Sequence, residues 1–294
     1  MIAAVTCRKG GSGVTTLTLS IASYLREKNV KTVIVDLKNQ CDYRTILSIK
    51  NCQPIDYLIT GLGFNNSNGI NIEEGIYHCN GIDFIQGTKV TIQGYLYRHV
   101  NELSDLLSYL EETYDLVLLD MRHDQLLDKL VDLGVRIFPI HVLDQNMLLT
   151  TLYLDVMKDT NLNGMLVVNK MDKRVYPPSK VYKEVFRGKE ITFLPYSPVV
   201  AGLINETIRN NGQFPVKLMN SEPNYSQQVA KLTDKLIEVN KAYNERVGVG
   251  SMTDEDDFKE FINNKVDGVQ HKKKKKKTNG KKGLLSSVFG KRWI

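Results

Sequence analysis

Two hydrophobic patterns run through this chain, and together they favour a sheet covered by helices on both faces. Continuous Val- and Ile-rich runs are typical of parallel strands that are buried on both sides. They predict strands at residues 2–5, 31–36, 82–86, 114–120, 136–142 and 165–169. Apolar residues at helical spacing predict helices at about 17–25, 55–59, 72–76, 103–110, 146–159 and 225–246. We therefore predict a doubly wound, mostly parallel α/β fold, with no helix between strands 114–120 and 136–142, or between strand 165–169 and a last strand near residues 193–197.

A glycine-rich stretch between the first strand and the first helix is the main candidate for chemistry. Its residues are Lys9, Gly10, Gly11, Ser12, Gly13, Val14, Thr15 and Thr16. In this context backbone N–H groups surround phosphate oxygens, and glycine is needed because a Cβ would block the approach. The common phosphate loop has a lysine at the Val14 position and a glycine at the Arg8 position. A turn without any ligand is the open alternative.

These residues resemble the deviant loop K-G-G-x-G-K-[ST]-T of the MinD/ParA family, from which Val14 departs. The resemblance covers about residues 1–245 and implies a P-loop NTPase fold, a homodimer, and binding of ATP (or ADP) with Mg²⁺. It assigns nucleotide contacts to the whole stretch, in which Lys9 would reach the nucleotide of the partner subunit and is the one possible catalytic residue. It also assigns the metal to Thr15, Asp36 and Asp120.

Two strand ends depart from the family pattern. The family ends its second strand with D-x-D, in which the second aspartate positions the attacking water, but here the sequence is Asp36-Leu37-Lys38. A protonated amine cannot accept a proton from water. Lys38 therefore either lies near polyphosphate or is a solvated loop lysine. Asp120 ends strand 114–120 as a Walker B carboxylate would, but a Met-Arg-His-Asp sequence replaces the usual Pro/Gly switch loop.

Two later positions complete the expected nucleotide site. Asn169 ends strand 165–169, where the family has an asparagine that contacts adenine, and an amide can donate to and accept from a base edge at once. Pro195 lies in residues 193–197, which resemble the family's I-P-x-D segment with Ser197 in place of the aspartate.

The charge is concentrated in the C-terminal tail. The net charge is +6, and the six consecutive lysines of 272–277 with further Lys and Arg residues more than account for it. The four cysteines have no metal-ligand spacing and indicate reduced thiols of a cytosolic protein. We expect no signal peptide and no membrane-spanning helix, because the first strand begins at Ile2 and no apolar run approaches about 20 residues.

The last residues have the composition of an interfacial membrane anchor. Residues 282–294 form a possible amphipathic helix, residues 247–281 a short acidic helix and a lysine-rich linker, and residues 1–246 the ATPase-like domain. The predicted membrane-binding residues are Lys281, Lys282, Leu284, Leu285, Val288, Phe289 and Trp293. MinD carries a similar lysine-rich C-terminal helix. The alternatives are that the lysines bind nucleic acid, or that the tail only keeps the protein soluble.

Val14 stands where the family has a lysine, and Lys38 where it has a carboxylate. We therefore expect inefficient hydrolysis of ATP, whereas nucleotide binding should be less affected. Such degeneracy resembles the TadZ/CpaE group. We expect a dimeric, membrane-associated positioning or assembly factor for an envelope machine such as a pilus, secretion or division apparatus, peripheral on the inner face of the cell membrane. An active MinD/ParA-type ATPase cycling on membrane or DNA, and a nucleotide-free membrane scaffold, are the alternatives.

Overall fold

The computed structural model shows one sheet with helices against both faces. The residues that it describes are 1–7, 10–38, 43, 46–47, 49, 52–63, 71–88, 94–122, 125–145, 164–175, 178–187, 189–200, 202–203, 222–248, 257–258 and 261.

Six of the eight strands described follow the Val- and Ile-rich runs closely. The eight are β1 (Ile2–Cys7), β2 (Thr32–Asp36), β3 (Ile76–Cys79), β4 (Ile82–Ile85), β5 (Leu116–Arg122), β6 (Ile137–Asp144), β7 (Met165–Met171) and β8 (Ile191–Pro195). The helices are α1 (Val14–Glu27), α2 (Ile55–Gly63), α3 (Tyr95–Arg98), α4 (Val100–Thr113), α5 (Gln125–Asp132), α6 (Ser179–Val185) and α7 (Pro223–Gly248), with a 3-10 turn at Ile72–Gly75.

The strand order β3-β4-β2-β5-β1-β6-β7-β8 confirms the doubly wound topology. All pairs are parallel except β3 with β4, which form an antiparallel edge. The central strand β1 therefore lies between β5 and β6. In sheets of this kind ligands bind beyond the carboxyl ends of the strands, where the direction of winding reverses.

Alternate residues of β1 enter two different cores, which explains the absence of a polar face. Ala3 and Val5 pack on the side of α1 and α7, whereas Ile2 and Ala4 pack on the side of α4 and α5. The four leucines that predicted α4 are all fully buried. The long helix α7 buries Val229, Leu232, Leu236 and Val239 as predicted.

Three short elements correct the predicted order. Helix α5 joins β5 to β6 and helix α6 joins β7 to β8, where we expected direct connections, and β3 adds an edge strand after the 3-10 turn. Each is eight residues or fewer, and an apolar pattern this short does not distinguish a helix from a strand or a loop. The predicted helix 146–159 lies outside the described residues.

Candidate functional site

The glycine-rich loop leads directly from β1 into α1 at the carboxyl edge of the sheet. Gly13 precedes the helix in the left-handed region, with φ 90° and ψ 24°, and no side chain caps the helix there. Gly11 also has a positive φ of 81°. The first N–H groups of a helix have no acceptor within the helix, and they carry the positive end of its dipole. The described part of the loop, residues 10–16, thus has the geometry of an anion cradle.

The end of β7 holds the loop from the side. The Asn169 Nδ2 donates to the Ser12 carbonyl at 2.9 Å, and its Oδ1 accepts the backbone N–H of Lys170 at 2.9 Å. Lys170 donates through Nζ to the Gly11 carbonyl and forms an ion pair with Asp144 at 3.4 Å. Asn169 therefore supports the loop in this structure, and its contact with adenine stays a prediction.

Lys38 lies within the site, beside two of the predicted metal ligands. It is only 9% exposed, which excludes the solvated loop lysine. Its Nζ lies 2.9 Å from Asp120 Oδ2 and donates to the Thr15 hydroxyl. Its backbone N–H donates to Asp36 Oδ1 at 3.0 Å. Both carboxylates are fully buried and occupy paired register positions on neighbouring strands, so this lysine supplies positive charge where two negative side chains meet.

Tyr43 is a residue of the site that sequence reasoning missed. Its hydroxyl donates to Asp120 Oδ2 at 2.6 Å, and the Lys38 Nζ lies 5.8 Å from the centre of its ring. Burial, and then the neighbouring Asp120 charge, raise the pKa of Tyr43 well above its ordinary value. The neutral Tyr43 hydroxyl thus holds the Asp120 carboxylate in place, and no pattern in the sequence predicts this contact.

The predicted magnesium ligands are together in part, but their arrangement does not fit the ion. Mg²⁺ requires oxygen ligands at about 2.0–2.1 Å in octahedral geometry. The Lys38 ammonium occupies the space between the Thr15 hydroxyl and Asp120 Oδ2, which are two of the predicted ligands. Among the described residues, no group of three or more His, Cys, Asp or Glu side chains is placed to hold a metal ion.

The charge missing at Val14 has neighbours that could replace it. Val14 is partly buried and packs against the core instead of projecting a charge. Arg122 ends β5, and a Cβ built on Gly10 would lie 3.8 Å from its Nη2. The Arg122 guanidinium, Lys38 and Lys170 thus place three cationic side chains next to the described part of the loop.

Pro195 is the last residue of the edge strand β8. Just beyond it, the Ser197 hydroxyl donates to Glu222 Oε2 at 3.2 Å and accepts the Val200 N–H at 3.3 Å. Ser197 thus fixes this turn to the start of α7. A contact of Pro195 with a nucleotide stays a prediction.

Two groups of predicted residues lie outside the described part of the chain. They are Lys9 of the loop and the membrane-binding residues Lys281, Lys282, Leu284, Leu285, Val288, Phe289 and Trp293. Of the acidic segment before them, Phe258 and Phe261 are described and are buried against Tyr243 of α7. None of the helices described here has both the length and the apolar character to cross a bilayer.

Comparisons with known proteins agree with this topology. The sequence model of the AAA domain family matches residues 1–126. No curated protein sequence matches the chain.

Several solved structures share the fold at low sequence identity. A ParA family ATPase from Chlorobium tepidum TLS has a TM-score of 0.60 and 15% identity, covering 79% of this chain and 98% of that one. The Aquifex aeolicus MinC:MinD cell division complex gives 0.60 and 17%, covering 81% and 95%. MinD from Pyrococcus horikoshii OT3, complexed with Mg-ADP, gives 0.56 and 19%, covering 82% and 99%. The chain therefore has the P-loop fold of the MinD and ParA ATPases, and its first 126 residues match the AAA domain family.

Proposed function

We propose that this protein is a membrane-associated MinD/ParA-like ATPase homologue that binds an adenine nucleotide but hydrolyses it poorly. It would act as a dimeric positioning or assembly factor for an envelope machine, peripheral on the inner face of the cell membrane. The observation that carries the proposal is the position of Lys38, whose ammonium contacts both Thr15 and Asp120 beside the loop.

Nucleotide binding is supported by groups that do not depend on the lost lysine. The described loop presents the start of α1 without a side-chain cap, and two of its glycines have positive φ. Backbone N–H groups supply much of the phosphate contact in such loops. Lys38, Lys170 and Arg122 add positive charge around it. A MinD of the same fold was solved with Mg-ADP.

Poor hydrolysis is expected because Val14 and Lys38 occupy two positions where the family has a catalytic side chain. A charged donor aimed at the transferred phosphoryl group stabilises the transition state, and Val14 offers none. A water-positioning group must accept a proton or a hydrogen bond from water, and the Lys38 ammonium only donates. Each such loss commonly costs a factor of about 100–1,000 in rate. Both together predict turnover far below that of an intact site.

The C-terminal tail supports the membrane part of the proposal from its sequence. The lysine run is followed by Leu284, Leu285, Val288, Phe289 and Trp293, and neither nucleic-acid binding nor solubility needs a group of large apolar residues in such a tail. A Lys near an anionic leaflet contributes about 1 kcal/mol, and partial burial of the apolar side chains adds to this.

Two measurements on the full chain test the proposal. Radiolabelled ATP turnover should be near background, and Lys9→Ala should not lower it further; turnover at rates ordinary for such ATPases contradicts the hydrolysis claim. Co-sedimentation with anionic liposomes is then measured with ATP, ADP or neither. Constitutive binding with nucleotide in the site supports the proposal, nucleotide-switched binding indicates a cycling ATPase, and constitutive binding with no nucleotide affinity indicates a scaffold.

Size-exclusion chromatography with light scattering tests the dimer. The expected result is a mass of twice 33.4 kDa with ATP present. A monomer under all nucleotide conditions would contradict the dimeric part of the proposal and leave the other parts standing.

A further inference from the structure

The Lys38 ammonium lies where the predicted metal ligands converge. Its Nζ contacts the Thr15 hydroxyl at the start of α1 and lies 2.9 Å from Asp120 Oδ2 at the end of β5. In phosphate loops of the ordinary kind, the hydroxyl and the strand-ending carboxylate together hold Mg²⁺ and its water shell. Here the same two oxygens hold a side-chain cation that belongs to the chain itself.

Building on the nucleotide binding proposed above, we infer that Lys38 replaces the divalent cation, so that this site binds nucleoside polyphosphates without Mg²⁺. The ligand class is a nucleoside di- or triphosphate in its metal-free form.

Burial supports a fixed position for this cation. Asp120 is fully buried, and the side chain of Lys38 is 8% exposed. The hydroxyl of Tyr43 holds the same carboxylate oxygen at 2.6 Å. A buried charge needs a paired partner, and separating this pair would leave Asp120 uncompensated. The lysine is therefore held in place rather than free to move aside for an incoming metal ion.

Electrostatics gives the reason for metal independence. Mg²⁺ in a phosphate site neutralises phosphate charge and connects it to the protein. An ammonium beside Thr15 is next to the helix start that would receive the phosphates, so it supplies attraction from the protein side. A second cation placed against the same oxygens would meet this ammonium and be repelled, because like charges at short range disfavour one another.

Binding of a fluorescent ATP analogue to the full chain tests the inference. Affinity is measured by titration in excess Mg²⁺ and in EDTA. The expected result is that the two dissociation constants agree within about twofold, since no metal contact is lost. Loss of binding in EDTA with recovery in Mg²⁺ would overturn the inference and leave the proposed nucleotide binding intact. Absence of binding in both buffers would overturn both.

Two lysine variants sharpen the result. Lys38→Met keeps the length of the side chain but removes its charge, and it should weaken binding in EDTA by about tenfold or more. Lys241→Met, which removes an exposed lysine of α7, is the matched control and should leave the affinity unchanged. Unchanged affinity of Lys38→Met in EDTA would contradict the inference.

Thermal unfolding without nucleotide gives a readout that is independent of binding. Lys38→Ala vacates the position between the two oxygens, and added Mg²⁺ should then raise the melting temperature of this variant by occupying it. The wild-type melting temperature should not respond to Mg²⁺. Equal stabilisation of both proteins by Mg²⁺ would show that the metal site exists beside Lys38, and the inference would be wrong.

Discussion

Gly13 allows a sharp test of how β7 supports the loop. Its φ is 90°, and a Cβ added there would lie 2.4 Å from Asn169 Nδ2, too close for any real contact. Gly11 has a similar φ of 81°, but a Cβ there would meet nothing within 4 Å among the described residues. Gly13→Ala and Gly11→Ala therefore share the backbone strain, and only the first adds a clash.

The expected magnitudes follow from these contacts. A left-handed conformation costs an alanine about 1–2 kcal/mol, so Gly11→Ala should lower the free energy of unfolding by about 1 kcal/mol. Gly13→Ala also pushes Asn169 away from the buried Ser12 carbonyl, to which it donates at 2.9 Å. A buried acceptor left without its donor costs about 1–3 kcal/mol. We therefore expect a total loss of about 2–4 kcal/mol for Gly13→Ala.

Urea unfolding of the full chain measures these differences in the free energy of unfolding. The comparison requires that the m-value, the slope of this free energy against urea concentration, is the same for all variants. A double-mutant cycle with Asn169→Ala isolates the clash, because removing the amide should reduce the cost of Gly13→Ala to about that of Gly11→Ala, near 1 kcal/mol. If Gly13→Ala is no more destabilising than Gly11→Ala, or if the cycle shows no coupling, the contact between β7 and the loop does not stabilise the fold and the reasoning is refuted.

Three further predictions concern other parts of the fold. Burial raises the pKa of Tyr225 to about 12 from 10.0, so its stabilising contribution is present below pH 10 and is lost as the pH rises toward 12; Tyr225→Phe should flatten that alkaline decline in urea midpoints. Phe261→Ala should speed amide hydrogen exchange of the residues around position 261, because the variant loses a fully buried ring. Gln145→Ala should cost about 2–3 kcal/mol in urea unfolding, since its amide holds backbone groups of Asp172 and Val175.

The long elements were predictable because their burial is uniform. Strand β1 has every residue buried, and α4 buries its four leucines at helical spacing, so each gives a strong pattern in sequence. Helix α6 buries only Tyr182 among its seven residues, and β3 fully buries only Ile76. Elements of this length are fixed by the chain on either side of them, and their own residues carry little signal.

Only part of the candidate site could be read from the sequence. The order of elements along the chain places the loop after β1 and carboxylates at the ends of β2 and β5. The parallel topology then brings all three to the carboxyl edge of the sheet. Which atoms touch depends on side-chain direction across that edge. The contacts of Lys38 with Thr15 and of Tyr43 with Asp120 join residues that are distant in sequence, and no local pattern specifies them.

Charge balance explains why a lysine at this position is compatible with the fold. Asp36 and Asp120 are both fully buried and stand at paired positions of adjacent strands. Two carboxylates so placed repel one another and lose hydration, so a cation near them is a condition of stability as well as of chemistry. Where a metal ion supplies that charge, folding and metal binding are linked. Lys38 supplies it from within the chain, so the site can keep its shape without a metal ion, as the proposed loss of hydrolysis requires.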